Sequence, residues 1–118
     1  MKHNFKKLDI WNRSVDFVTE IYQLTQMYPK EEIFGLIAQT RRAAVSAPLN
    51  ISEGSAKSSN KDFARFLEMA IGSLFEVETA LVIACKLNYI NSDELLDKQT
   101  KVNELQRMIN GFKDTLEK

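Results

Sequence analysis

The sequence predicts an all-α protein folded as an antiparallel, up-down-up-down four-helix bundle. Apolar residues return every three or four positions in four separate stretches, which is the period of a helix with one buried face. The chain holds only 4 Gly and 2 Pro in 118 residues, too few to punctuate many short strands. The connections between the stretches are short, and short connections make neighbouring helices antiparallel. With 44% hydrophobic residues the chain can fill one core without disulfide or metal support, so residues 1–118 read as a single domain.

The first helix is expected from Leu8 to Met27, with Leu8, Trp11, Val15, Val18 and Tyr22 as its main stripe and Ile10, Phe17, Ile21 and Leu24 beside it. Pro29 closes it, because the residue before a proline avoids the α region. Lys30 and Glu31 open the second helix, whose inner side carries Ile33, Ile37, Ala44, Ala47 and Ile51. Its small residues allow a neighbour to come close. Pro48 removes a backbone hydrogen bond and crowds the preceding turn, so a kink or break is expected near 44–48. Residues 54–59 form the connection, and Ser59 with Asp62 resembles a capping box at the start of the third helix.

The third helix has the most regular seam, with Phe63, Leu67, Ala70, Leu74, Val77, Leu81 and Ala84 at alternating spacings of four and three. Phe66, Phe75 and Val82 fall off that seam and supply apolar surface beyond what one subunit buries, which predicts self-association. Asn91 and Glu94 form the capping box of the fourth helix. Its seam is Leu95, Val102, Leu105, Ile109, Phe112 and Leu116, with Gln99 in one slot.

The 16 basic and 16 acidic residues cancel, so no global field draws the chain to nucleic acid or to an anionic membrane. Cys85 is the only cysteine and sits among apolar neighbours, which excludes an internal disulfide and fits a reducing, cytoplasmic location. The N-terminal segment is basic but too interrupted by polar residues for a signal peptide or anchor. A metal site of the di-iron bundle type needs Glu-x-x-His pairs, and the only histidine is His3. Catalytic triads of the usual kind, phosphate loops, CxxC and HExxH are absent from the sequence. The expectation is a non-enzyme with no cofactor, no metal and no small-molecule substrate.

Two polar groups interrupt the apolar pattern: Asn50-Ile51-Ser52-Glu53-Gly54, and Gly72-Ser73 flanked by Glu68 and Glu76. Asn50, Glu53, Gly54, Glu68, Ser73 and Glu76 are read as a structural polar network that fixes register, since buried polar groups do this more often than they perform reactions. A third group is basic. Between Ile37 and Leu67 lie Arg41, Arg42, Lys57, Lys61 and Arg65 against only Glu53 and Asp62, a local excess suited to phosphate contacts. The competing reading pairs Arg41 with an inward carboxylate such as Glu76 and leaves the lysines solvated. In an oligomer a small patch is repeated, and binding becomes multivalent.

Several elements together resemble a known family: Phe5-x-x-Leu8-x-x-Trp11, Gln39-x-x-Arg42, Asn50-Ile51-Ser52-Glu53-Gly54, and Phe63-x-x-Phe66-Leu67-x-x-Ala70-x-Gly72-Ser73-x-x-Glu76. The chain resembles the bacterial four-helix-bundle proteins encoded within intervening sequences of 23S ribosomal RNA genes, over about Phe5 to Tyr89. It is also similar in fold to the accessory variability protein of diversity-generating retroelements, a pentameric barrel that binds nucleic acid and a reverse transcriptase. The resemblance implies a homopentamer without catalytic activity and with an RNA or DNA partner. A protein-interaction module with Phe66, Phe75 and Val82 in its interface is the alternative.

Overall fold

Residues 3–117 are described by a computed structural model, so Met1, Lys2 and Lys118, at the ends of the predicted domain, lie outside the described residues. Four helices account for most of the chain: α1 Asp9–Thr25, α2 Leu36–Ser55, α3 Asn60–Lys86 and α4 Ser92–Leu116. Single 3-10 turns at Phe5–Lys7 and Lys30–Glu32 precede α1 and α2, and there is no strand among the described residues. α1 packs on α2, α2 on α3, α3 on α4, and α4 returns to α1 through the thinnest of the four contacts. No helix is long and apolar enough to cross a membrane among the described residues.

The α3 seam is buried at every predicted position from Phe63 to Ala84 and runs through the centre of the core. Val102, Leu105, Ile109 and Leu116 of α4 are buried against the same cluster, with Leu95 and Phe112 partly covered. Ser59 caps α3 by accepting the Asp62 N–H at 3.1 Å, without the return bond from Asp62 that would complete a capping box. The Asn91 and Glu94 side chains each accept the other's backbone N–H, at 2.8 and 2.9 Å, together satisfying two donors that α4 would otherwise leave unpaired. α3 ends in a Schellman arrangement, with Asn88 at φ 64°. The N–H of Tyr89 bonds to Ala84 and that of Asn88 to Cys85, a backbone form that asparagine tolerates.

Four expectations are corrected. On α1 the fully buried line is Ile10, Ser14, Phe17, Ile21 and Leu24. Leu8, Trp11, Val15 and Val18 are only half covered and Tyr22 is exposed, because they face α2 near the surface. α2 starts at Leu36 rather than at Lys30. The Glu32 carboxylate accepts the Leu36 N–H at 2.9 Å and so sets the start of the helix, which leaves Ile33 outside it and exposed. Of the kink or break expected near 44–48, the break does not occur: α2 continues through Pro48 to Ser55. Proline costs one backbone bond there, and the buried ring lies beside Trp11 and Val15 in the α1–α2 seam. Gly54 belongs to the last turn of α2 and not to the connection, which is reduced to residues 56–59.

The turn between α1 and α2 holds Tyr28, whose ring lies tilted at 47° against that of Tyr89, with centroids 5.4 Å apart. Its hydroxyl is buried without a hydrogen-bond partner among the described residues. Burial, and after it the charge of Glu94, pushes the Tyr28 phenol from the ordinary 10 up to about 12. An acid whose folded value is raised favours the fold below the unfolded value and loses that contribution as pH climbs through the folded one. Thermal melts should therefore show stability declining between pH 10 and about 12. Tyr28→Phe should flatten that decline and, by removing an unpaired buried hydroxyl, keep or raise stability at pH 7 by about 1 kcal/mol. A steeper alkaline loss in the variant would contradict this.

Candidate functional site

The five predicted basic residues do not form one patch. Arg41 and Arg42 lie in the first half of α2, while Lys57, Lys61 and Arg65 surround the α2–α3 turn, about 20 Å further along the bundle at 1.5 Å per residue. Arg41 is committed within the subunit. Its Nε donates to Thr25 Oγ1 at 2.8 Å, one terminal nitrogen donates to the Tyr22 carbonyl at 3.2 Å, and the guanidinium lies 4.4 Å from the Tyr22 ring centre. It therefore closes the end of α1, where free carbonyls and the negative pole of the helix favour a cation. The competing reading's pairing with an inward carboxylate such as Glu76 does not form either. Arg41→Ala should cost about 1 kcal/mol, and Arg41→Lys, which lacks the planar fork, should recover less than half of it in a denaturant titration. Full recovery by lysine would show that charge alone is at work.

Arg42, Lys61 and Arg65 are exposed, and among the described residues Arg65 reaches only Asp62, at 4.0 Å. The Lys57 ammonium lies 4.9 Å from the centre of the Phe66 ring, which steadies a long side chain without neutralising it. Lys57, Lys61 and Arg65 thus remain as a cationic group at one end of the bundle, interrupted by Asp62 and able to meet phosphates.

The predicted polar network assembles only in part. Ser73 Oγ bonds to Ser46 Oγ at 2.9 Å across α2 and α3, and the Asn50 amide donates to Ser46 Oγ at 3.0 Å and to the Ser46 carbonyl at 2.9 Å. Ser46 is the hub that sequence reasoning missed; its signal is the i,i+4 spacing to Asn50 on one helix face. The other members stand apart. Glu53 is exposed, the Gln39 amide donates to Glu76 at 3.1 Å, and Glu68 pairs with Lys113 at 3.6 Å. Gly54, in the last turn of α2, is a packing residue, buried against the Phe63 ring and the Cβ of Phe66.

Phe66, Phe75 and Val82 do not share a face. Phe66 and Phe75 are nine residues apart, two and a half helical turns, and so point to opposite sides. Phe66 is half-buried beside Gly54 and Phe75 is exposed beside the α2 start, with Val82 half-buried. A further tie that the sequence reading did not include is Glu32. Its second carboxylate oxygen accepts the Tyr89 hydroxyl at 2.8 Å, linking the start of α2 to the α3–α4 turn. The Leu36 N–H and then Tyr89 hold the Glu32 carboxyl below the usual carboxylate range. No group of three or more metal-binding side chains forms among the described residues.

A solved structure from Bacteroides thetaiotaomicron, a protein of unknown function from the S23 ribosomal protein family, matches with a TM-score of 0.77. The two are 21% identical, and the match covers 87% of this chain and 96% of the other; the likeness is one of fold. No curated protein matches the chain. The 23S rRNA-intervening sequence protein family matches residues 6–111, nearly the whole of the four helices and the turns between them, and the chain belongs to that family.

Proposed function

We propose that the protein is a non-enzymatic, cytoplasmic subunit of a homo-oligomer, with five subunits favoured, that binds RNA or other nucleic acid through cationic groups repeated around the assembly. The observation that carries this is the Lys57, Lys61 and Arg65 group, held at one end of a rigid bundle and paired internally only through Asp62. An up-down-up-down course supports the repetition, because it places the α2–α3 turn at one end of each subunit, and a closed ring carries those ends to the same side. That course rests on the contacts: Gln39 with Glu76, Ser46 with Ser73 and Gly54 with Phe66, then Glu68 with Lys113 and Glu78 with Gln99. The non-enzymatic reading rests on the dispersal of Glu53, Glu68 and Glu76, and the cytoplasmic one on the unpaired Cys85.

Titration of the purified protein with a structured RNA tests the reading. Affinity should fall steeply from low to moderate salt, as counterion release requires, and Lys57→Ala with Lys61→Ala should reduce the salt slope by about two contacts. Absence of binding at low salt would reject it. The second reading is a protein-interaction module with no nucleic-acid partner, favoured by the exposed apolar residues around Phe75. It requires a defined protein complex that survives nuclease treatment.

A further inference from the structure

Gly72 lies in the middle of α3, where a glycine is costly relative to alanine because it gives up backbone freedom for no side-chain contact. The subunit gains nothing in exchange. A Cβ built at Gly72 meets no atom within 4 Å, whereas one at Gly54 would collide with Phe63 and Phe66. Gly72 instead lines a cleft of about 600 Å³ between α2 and α3, together with Phe34, Leu36, Phe75 and Ile83. Phe34 is 94% exposed, Phe75 48% and Ile83 45%. Exposed rings gathered around an open glycine form a surface that another helix can approach closely.

We propose that this cleft is the receiving half of a contact between two copies of the chain, and that the inserted half is the outer ridge of α2 carrying Arg42 and Leu49. The inference rests on the assembly reading above and assigns its surfaces. Arg42 and Leu49 are seven residues apart, two turns of one helix, and so share a face; Leu49 is 59% exposed. Charge complementarity selects a second copy as occupant. Glu76 is the one charged residue lining the cleft, and it accepts a neutral amide from Gln39 rather than a cation. Arg42 forms no ion pair among the described residues. Each charge stands unpaired beside an apolar surface, with opposite signs, and the net charge of zero raises no repulsion between copies. The donor and acceptor surfaces differ, so the contact is head-to-tail. It leaves a free cleft and a free ridge after every addition, which excludes a two-fold dimer and gives a ring when the rotation between copies closes.

Light-scattering mass, with circular dichroism to monitor folding, tests the proposal on the whole chain. The wild type should be a ring of more than two subunits. Gly72→Leu fills the cleft with a good helix former whose Cβ meets no atom within 4 Å in the subunit, and should give a folded monomer. Arg42→Glu should weaken association about tenfold or more, and the double variant with Glu76→Arg should return to within about threefold of wild type. A wild-type ring that Gly72→Leu leaves intact overturns the cleft assignment while sparing the assembly reading. A double variant no tighter than Arg42→Glu overturns the ridge. A monomeric wild type overturns both the assembly reading and this proposal, whatever the variants do.

Discussion

Phe63→Ala is expected to cost about 4 kcal/mol of stability, the usual range for emptying a large buried aromatic site, and to lower the melting temperature by roughly 15 °C. Phe63 is 2% exposed at the start of α3, where the end of α2 and the end of α4 converge. Its ring stands edge-on to His3 at 5.2 Å and to Phe112 at 5.6 Å, and covers the face of Gly54. Collapse of these neighbours into the void is limited, because Phe112 and Gly54 belong to two different helices that would both have to move. Leu96→Ala, on the exposed side of α4, removes apolar atoms without leaving a cavity and should change stability by less than about 0.5 kcal/mol. Chemical denaturation of both variants at one protein concentration checks the contrast. Equal losses would mean that the core does not run through Phe63.

The elements most legible in the sequence were those fixed by periodicity and local caps. The seven α3 seam residues are all buried, and Ser59 and Asn91 begin α3 and α4 as their side chains dictate, because these signals depend on residues within one or two turns. What the sequence did not reveal depends on neighbours far along the chain. On α1, which of two adjacent apolar stripes faces the centre was decided by where α2 and α4 lie, and the Ile10–Phe17–Ile21 line prevailed over Trp11–Val15–Val18. The start of α2 moved to Leu36 because a side-chain carboxylate at Glu32 supplied the first bond. Pro48, a helix breaker by local rules, stays within α2 with its ring buried against α1.

The candidate site was less legible for the same reason. A run of basic residues specifies charge but not direction, and Arg41 was drawn to the end of α1 by Tyr22 and Thr25, sixteen and more positions away. Phe66 and Phe75, nine residues apart, fall on opposite faces of α3, while Phe75 and Val82, seven apart, share one, so the off-seam apolar residues are divided between two sides of the helix. The glycines carried the opposite kind of information: Gly54 and Gly72 look alike in the sequence, and only the distance to a neighbouring helix separates the one that packing requires from the one it does not.

That separation makes the second large effect a reversal of sign. Alanine for glycine inside an exposed stretch of helix should stabilise by about 1 kcal/mol, and Gly111→Ala in α4, where a Cβ meets nothing within 4 Å, is expected to do so. Gly54→Ala is expected to destabilise by about 2 kcal/mol despite the same gain in propensity. Its Cβ would fall 2.6 Å from Phe66 Cβ and 2.9 Å from Phe63 Cδ1. A Cβ cannot rotate away from its backbone, so relief requires α2 and α3 to separate along the Ser46–Ser73 contact as well. Thermal and urea melts of the two variants decide the matter by direction alone. If Gly54→Ala proves as stabilising as Gly111→Ala, the two helices do not approach as closely as their contacts place them, and the packing that orients the α2–α3 turn and its lysines would have to be redrawn.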